Sequence, residues 1–363
     1  MGGFYAHLDR GALFERRDVY RVGFDEERAS RSPVRLAILG AGGVAQAKYL
    51  PAIARLRTWW EPVELVALST LDERQGEKLS HLWGAPAYGD SAALLRDHSP
   101  DAVLVTSSDE AHCELALAAL GAGAHVLVEK PIARSLDEAE EMCRAAEAAG
   151  RILVTTCNKR YSPPYAEARR LLDSAAVPRP SLFMAKFTLG YDYVDLLESG
   201  TVHAFDLARL FMGDARRVSA VAAPARRDSV IVTLEFASGA VGTILTSATA
   251  LSLHPWERVE IFGDGAWLAV DDQSMLTLHS AEYEPARSWA PVVPNTLLSA
   301  EEWGGYVGML EDFLAALRRQ APASTAKWDG YRALELVVAT RLSLTRGDPV
   351  ELPLEPVSRQ SSR

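Results

Sequence analysis

Short apolar runs alternate with stretches of helical spacing from residue 34 to residue 156. VRLAIL (34–39), VELVAL (63–68), DAVLVT (101–106), HVLVEKP (125–131) and ILVTT (152–156) read as strands. Between them, residues 44–56, 73–82, 112–123 and 137–149 repeat apolar side chains at helical spacing. Strands alternating with helices predict a doubly wound parallel sheet joined by right-handed crossovers.

After Asn158 the rhythm changes. Helices are expected at 164–172 and 202–211, flanking an extended run at 182–189. Strands then follow almost without helices, at 218–222, 230–236, 241–247, 258–262, 267–270 and 275–278, with turns such as Ser238-Gly239 and Asp264-Gly265 between them. Helices at 306–317 and 330–344 close the pattern. This half reads as an α+β domain with a large open, mostly antiparallel sheet. The expected divisions are a charged arm at 1–32, the α/β domain at 33–157, the α+β domain at 158–354 and a tail at 355–363.

Composition narrows the classes. A chain of 363 residues has room for two domains, and 48% hydrophobic with 24% charged residues is a globular balance. Against 38 Lys and Arg stand 48 Asp and Glu, a formal charge of −10, which argues against a nucleic-acid binder. The longest uncharged run, 237–256, contains Gly, Ser and Thr and alternates like a strand, so no membrane span is expected. No secretory signal pattern opens the sequence. Cys113, Cys143 and Cys157 lie far apart with no C-x-x-C pair, as buried thiols in a reducing cytoplasm would. His81, His98, His254 and His279 have no partners at metal-ligand spacing, and no metal is expected.

The first strand runs into Gly40-Ala41-Gly42-Gly43-Val44-Ala45, a G-x-G-x-x-A turn that opens a helix. Gly40 permits the tight turn, Gly42 lets backbone approach a pyrophosphate, and Ala45 lets the helix lie close to the strand. The helix N-terminus then offers unpaired N–H groups to phosphate. After a first strand, this spacing implies a dinucleotide site that also involves Gly43 and Val44. The second strand ends Ser69-Thr70-Leu71-Asp72, with Arg74 beyond. Two hydroxyls and an arginine suit a 2′-phosphate better than a ribose diol, so NADP(H) is favoured over NAD(H). Asp72 reaches the ribose if the loop curls back.

The order of this glycine turn, Asp101-Ala102-Val103, His112, Glu129-Lys130-Pro131 and Asn158-Lys159-Arg160-Tyr161 resembles the glucose-fructose oxidoreductase / inositol dehydrogenase / MocA family of NAD(P)-dependent oxidoreductases. The resemblance runs from residue 34 to residue 354. It implies a Rossmann domain followed by an α/β domain with an open sheet, a sugar-like substrate and a homodimer or homotetramer. It also implies that Lys130 lies beside the nicotinamide and the reacting carbon, where a lysine can exchange the hydroxyl proton. Further candidates for cofactor contact are Ser107, Ser108, His112, Glu129 and Arg160. Candidates for substrate contact are Lys130, Asn158, Tyr161, Tyr191, Ser199 and His203, and Tyr193 is a further candidate for substrate or nicotinamide contact.

The family's second signature is a helix bearing Asp-x-x-x-His-x-x-Asp. His203 and Asp206 match it, and Lys130 and His203 are the expected catalytic pair. Four residues before His203, however, stands Ser199, with Glu198 one position off the shared face. The implied activity is hydride transfer between nicotinamide and a hydroxyl or keto carbon of a sugar, cyclitol or sugar derivative. Ser199 keeps two others open: a cofactor-binding member without turnover, acting as sensor or scaffold, and a hydride-shuttling lyase or glycosidase.

Overall fold

The computed structural model describes residues 31–58, 61–190, 195–248, 257–281, 283–289, 300–319 and 323–354. These form two compact units. One contains the described residues between 31 and 158 and between 300 and 334; the other contains those between 159 and 289 and between 335 and 354.

The first unit is built on β1 (Val34–Leu39), β2 (Val63–Ser69), β3 (Ala87–Tyr88), β4 (Ala102–Val105), β5 (His125–Val128) and β6 (Leu153–Thr155). They form one parallel sheet in the order β3-β2-β1-β4-β5-β6, the doubly wound order with its reversal between β1 and β4. β4 and β6 are buried along their whole length, as parallel strands covered on both faces should be. The crossovers are α1 (Leu50–Thr58), α2 (Glu73–Trp83), α3 (Ser91–His98), α4 (His112–Gly121) and α5 (Leu136–Ala149). Asp72, Asp90 and Ser135 start α2, α3 and α5 by accepting the Gln75, Ala92 and Glu138 N–H groups. The sequence pattern left residues 83–100 without an element. There the structure has β3 and α3, whose buried face is only Leu94 and Leu95, too short to leave a period.

A π-helical turn, Ala45–Tyr49, precedes α1 and is closed by the Leu50 N–H on the Ala45 carbonyl. Pro51 follows at once. Its ring carries no N–H and crowds the carbonyl four residues earlier, and a widened turn relieves that crowding.

The second unit opens with α6 (Pro163–Asp173), β7 (Leu182–Thr188), a π-helical turn (Leu197–Thr201) and α7 (Val202–Met212). The remaining strands are β8 (Ala215–Ala223), β9 (Arg226–Phe236), β10 (Val241–Ser247), β11 (Glu257–Gly263), β12 (Ala266–Asp271), β13 (Met275–Ser280), β14 (Tyr283–Trp289) and β15 (Val350–Glu351). With β7 they make a nine-stranded sheet, β14-β13-β12-β11-β7-β10-β9-β8-β15, antiparallel except where β7 meets β10. Phe183, Ala185 and Phe187 of β7 are buried beneath the helices. The opposite face carries the cross-strand row Val221, Ile231, Leu245 and Lys186, three of them large, exposed apolar side chains.

The remaining helices are α8 (Ala300–Trp303), α9 (Tyr306–Arg319) and α10 (Lys327–Arg346). The sequence pattern assigned all of 158–354 to one domain, yet residues 300–334 belong to the first unit. The reason is local. α9 buries Val307, Leu310, Phe313 and Leu314 and packs on α1, while Arg318 pairs with the buried Glu61 and Arg55 with Glu302.

Candidate functional site

At Gly40 the chain turns with φ +85°, and a Cβ there would lie 2.5 Å from the Ser107 Cα. Only glycine fits both demands. Ser69 holds the turn from the other side, its carbonyl accepting the Gly40 and Ala41 N–H groups at 3.1 and 2.7 Å. Thr106 closes the third side, its hydroxyl donating to the Gly40 carbonyl at 2.8 Å. Gln46 reaches back from the π turn to the Ala41 and Gly42 carbonyls. Gly42 and Gly43 differ from Gly40. A Cβ on Gly42 would find nothing nearer than the Gly40 oxygen at 4.0 Å, and one on Gly43 nothing within 4 Å. The fold needs no glycine at either position. The bare shelf they leave, with exposed Val44 beside it, fits a pyrophosphate laid on backbone N–H groups at a helix start.

At the end of β2 the expectations divide. Ser69 is buried and its hydroxyl is bonded to Ser91, so it supports the glycine turn instead of meeting a cofactor. The Thr70 hydroxyl donates to Gln75 at 3.0 Å, and Asp72 is the cap of α2. Arg74 stands exposed. Ser107 is half-buried against Gly40 and Ser108 exposed at the start of the 3₁₀ turn Asp109–Ala111. His112 is wholly buried, its Nδ1 donating to the Pro131 carbonyl at 2.8 Å, and so pins the Lys130-Pro131 segment.

Glu129 and Lys130 follow β5, where the Lys130-Pro131 bond is cis. Glu129 is buried and accepts the Tyr49 phenol at 2.5 Å on one oxygen and the Lys130 N–H at 3.0 Å on the other. The same N–H lies 3.0 Å from Thr156 Oγ1. Tyr306 packs edge-on to Tyr49, ring centroids 5.5 Å apart. Burial first, then the Glu129 carboxylate, raises both phenols above their ordinary range, so both stay protonated at neutral pH. Asn158 is buried, its amide donating to the Gly304 carbonyl at 2.7 Å, which ties the end of the strand to the α8–α9 turn.

The second unit carries the rest. Arg160, expected at the cofactor, instead donates to Asp206 through both Nε and Nη2, a nearly buried bidentate pair. Lys159 is buried against Glu257, which also accepts the Tyr165 hydroxyl. Tyr161 is half-buried in the 3₁₀ turn Asn158–Tyr161. Tyr191 and Tyr193 lie outside the described residues. Ser199 sits in the π turn and His203 in the first turn of α7. Both are half-buried, while Gly200, Thr201, Val202 and Ala204 between and beside them are buried, so the two share one part-exposed edge. Gly200 lets this turn lie on β7's exit, since a Cβ there would meet Leu189 at 2.7 Å. Glu198 does not stand in for the missing aspartate, because Arg341 holds it at 2.7 Å. Arg341 also binds Asp195, whose other oxygen caps Leu197 and Glu198.

Sequence reasoning missed Tyr49, Thr156 and Arg341. For Tyr49 a signal existed, since it shares a helical face with Ala45 and Ile53, and an inward phenol needs a partner. Burial pushes the Cys113 and Cys143 thiols up to about 11 and about 12, so neither supplies a thiolate at neutral pH.

Residues 34–156 match the family model described as "Oxidoreductase family, NAD-binding Rossmann fold", and residues 197–352 match "Oxidoreductase family, C-terminal alpha/beta domain". The chain is 26% identical over 340 residues to a myo-inositol 2-dehydrogenase of Thermotoga maritima, covering 88% of this chain and 98% of that protein. It is 30% identical over 311 residues to an inositol 2-dehydrogenase of Rubrobacter xylanophilus, covering 80% and 87%. Its fold matches an NAD-binding oxidoreductase from Klebsiella pneumoniae with TM-score 0.81 at 21% identity, over 89% of this chain and 100% of that one.

The two kinds of glycine should separate by experiment. Gly40→Ala should destabilise the protein by about 1–3 kcal/mol, because strain and a backbone clash coincide there. Gly42→Val should leave the thermal midpoint unchanged yet abolish dinucleotide binding in a fluorescence titration. Unaltered NADH and NADPH affinity in folded Gly42→Val would remove the shelf as a binding site.

Proposed function

The chain belongs to the glucose-fructose oxidoreductase / inositol dehydrogenase / MocA oxidoreductase family, and from that premise we propose that it moves a hydride between a nicotinamide cofactor and a hydroxyl or keto carbon of a sugar, cyclitol or sugar derivative. The observation that carries the reading is the shelf at Gly42 and Gly43, where glycine serves no need of the fold itself. Bound nicotinamide supplies the hydride acceptor or donor. The protein's share is binding, orientation and proton transfer. The backbone at Gly42 and Gly43 receives the pyrophosphate. Lys130 exchanges the hydroxyl proton, and His203 is the second acid or base. The inositol dehydrogenases among the relatives support a polyol as the substrate class.

NADP(H) is the preferred cofactor in this reading, resting on Thr70 and exposed Arg74 once Ser69 is withdrawn. A charge-assisted contact to a 2′-phosphate is worth about 1.5–3 kcal/mol, roughly ten- to hundredfold in affinity. Calorimetry should find NADPH tighter than NADH, and Arg74→Ala should erase the difference. Tighter NADH in the wild type reverses the assignment.

Lys130→Ala and His203→Ala should each lower turnover on a panel of cyclitols and aldoses headed by myo-inositol by about 10²–10⁴-fold, while cofactor affinity stays. Wild-type turnover in Lys130→Ala ends the catalytic reading. Ser199 favours a second possibility, a member that binds cofactor without net turnover or returns the hydride within one cycle. Net change in nicotinamide absorbance separates the two, since only a dehydrogenase produces it.

The exposed row Val221, Ile231 and Leu245 supports a homodimer or homotetramer paired through the open sheet. Light scattering should find more than one chain per particle, and Ile231→Glu with Leu245→Glu should reduce it to one. A monomeric wild type contradicts the pairing. Residence in the cytoplasm belongs to the same proposal, supported by cysteines that are all unbridged.

A further inference from the structure

Tyr49 ends the π turn that leaves the glycine loop, and none of its side chain reaches solvent. A phenol in that position must find its partner inside the protein. It finds Glu129, at the end of a different strand, at 2.5 Å, the length of a charge-assisted hydrogen bond. Glu129 in turn accepts the Lys130 N–H on its other oxygen, and the same N–H is shared with Thr156 Oγ1. One carboxylate thus joins the end of the π turn to the backbone at Lys130, and Thr156 holds that backbone from a third segment.

We propose that Tyr49 is a positioning residue which, through the Glu129 carboxylate, fixes the backbone from which the Lys130 side chain springs. This rests on the reading of Lys130 as the proton-transfer group. A buried carboxylate with two oxygens and two directional donors has one orientation that satisfies both. Remove the phenol hydroxyl and one oxygen of a buried carboxylate loses its donor, so the carboxylate turns to recover one. The Lys130 N–H is the donor within its reach, and the peptide moves with it. Tyr306 packs against the Tyr49 ring and not its hydroxyl, so phenylalanine keeps that contact.

The test is Tyr49→Phe, read in three ways. NADPH affinity should stay within about twofold, since the shelf at Gly42 is untouched. Amide hydrogen exchange in the peptide spanning 126–131 should accelerate by about tenfold or more, as the Lys130 N–H loses its fixed acceptors. On the best substrate of the cyclitol and aldose panel, kcat should fall about ten- to hundredfold with KM little changed, the mark of a displaced catalytic group. Thr156→Val, which removes the other acceptor of the Lys130 N–H at constant shape, should move exchange and kcat in the same direction, and serves if Tyr49→Phe does not fold. Wild-type exchange and wild-type kcat in both variants overturn the proposal. If Lys130→Ala is inactive in that case, the assignment of Lys130 survives and only the positioning role is lost. If Lys130→Ala turns over normally while Tyr49→Phe still exchanges fast, the fault lies with the assignment of Lys130.

Discussion

Ser107 lies so close to Gly40 that no side chain fits between them, and the loops at the carboxyl edge of the first sheet take their positions from that contact. With the turn after β1 pressed against the turn after β4, the Ser69 carbonyl and the Thr106 hydroxyl both reach the glycine backbone. Gly42 and Gly43 are thereby held open to solvent just where the strand order reverses, the place in such sheets where ligands lie. The contact is van der Waals in kind and carries little energy alone. Its force is exclusion, for any Cβ at position 40 would part the two loops and disturb the shelf.

Polar groups expected at a ligand prove to have partners within the protein. Ser69 bonds Ser91, the His112 Nδ1 bonds the Pro131 carbonyl and Asn158 bonds the Gly304 carbonyl in the first unit, and Arg160 pairs with Asp206 in the second. In the second unit, Asp195, Glu198 and Arg341 are bound to one another around the start of the π turn. Of the expected side chains, Thr70, Arg74, Ser107, Ser108 and Lys130 are at least part-exposed in the first unit, and Tyr161, Ser199 and His203 in the second.

Both sheets were legible in the sequence because each depends on local period. A period near 3.6 alternating with apolar runs dictates the parallel sheet, and closely spaced strands with Ser-Gly and Asp-Gly turns dictate the other. The glycine spacing likewise marked Gly40 and Gly42. It did not distinguish a glycine the fold requires from one it merely permits, because that difference lies in a loop reached from another strand. The partners of the motifs' polar residues were hidden by one cause. Asn158 meets Gly304 across 146 positions and Arg160 meets Asp206 across 46, and no window of sequence contains such pairs. The packing of residues 300–334 with the first unit was hidden for the same reason, since their apolar face matches α1, far upstream.

That late return has a consequence for how the protein is made. Domains generally fold as units while a chain emerges from the ribosome, N-terminal part first. Here α1 has its outer cover, α9, only after every strand from β7 to β14 has been synthesised. Until then the half bearing the glycine turn exposes an apolar helix surface, with Glu61 awaiting Arg318. The order of translation thus separates the formation of the parallel sheet from its completion.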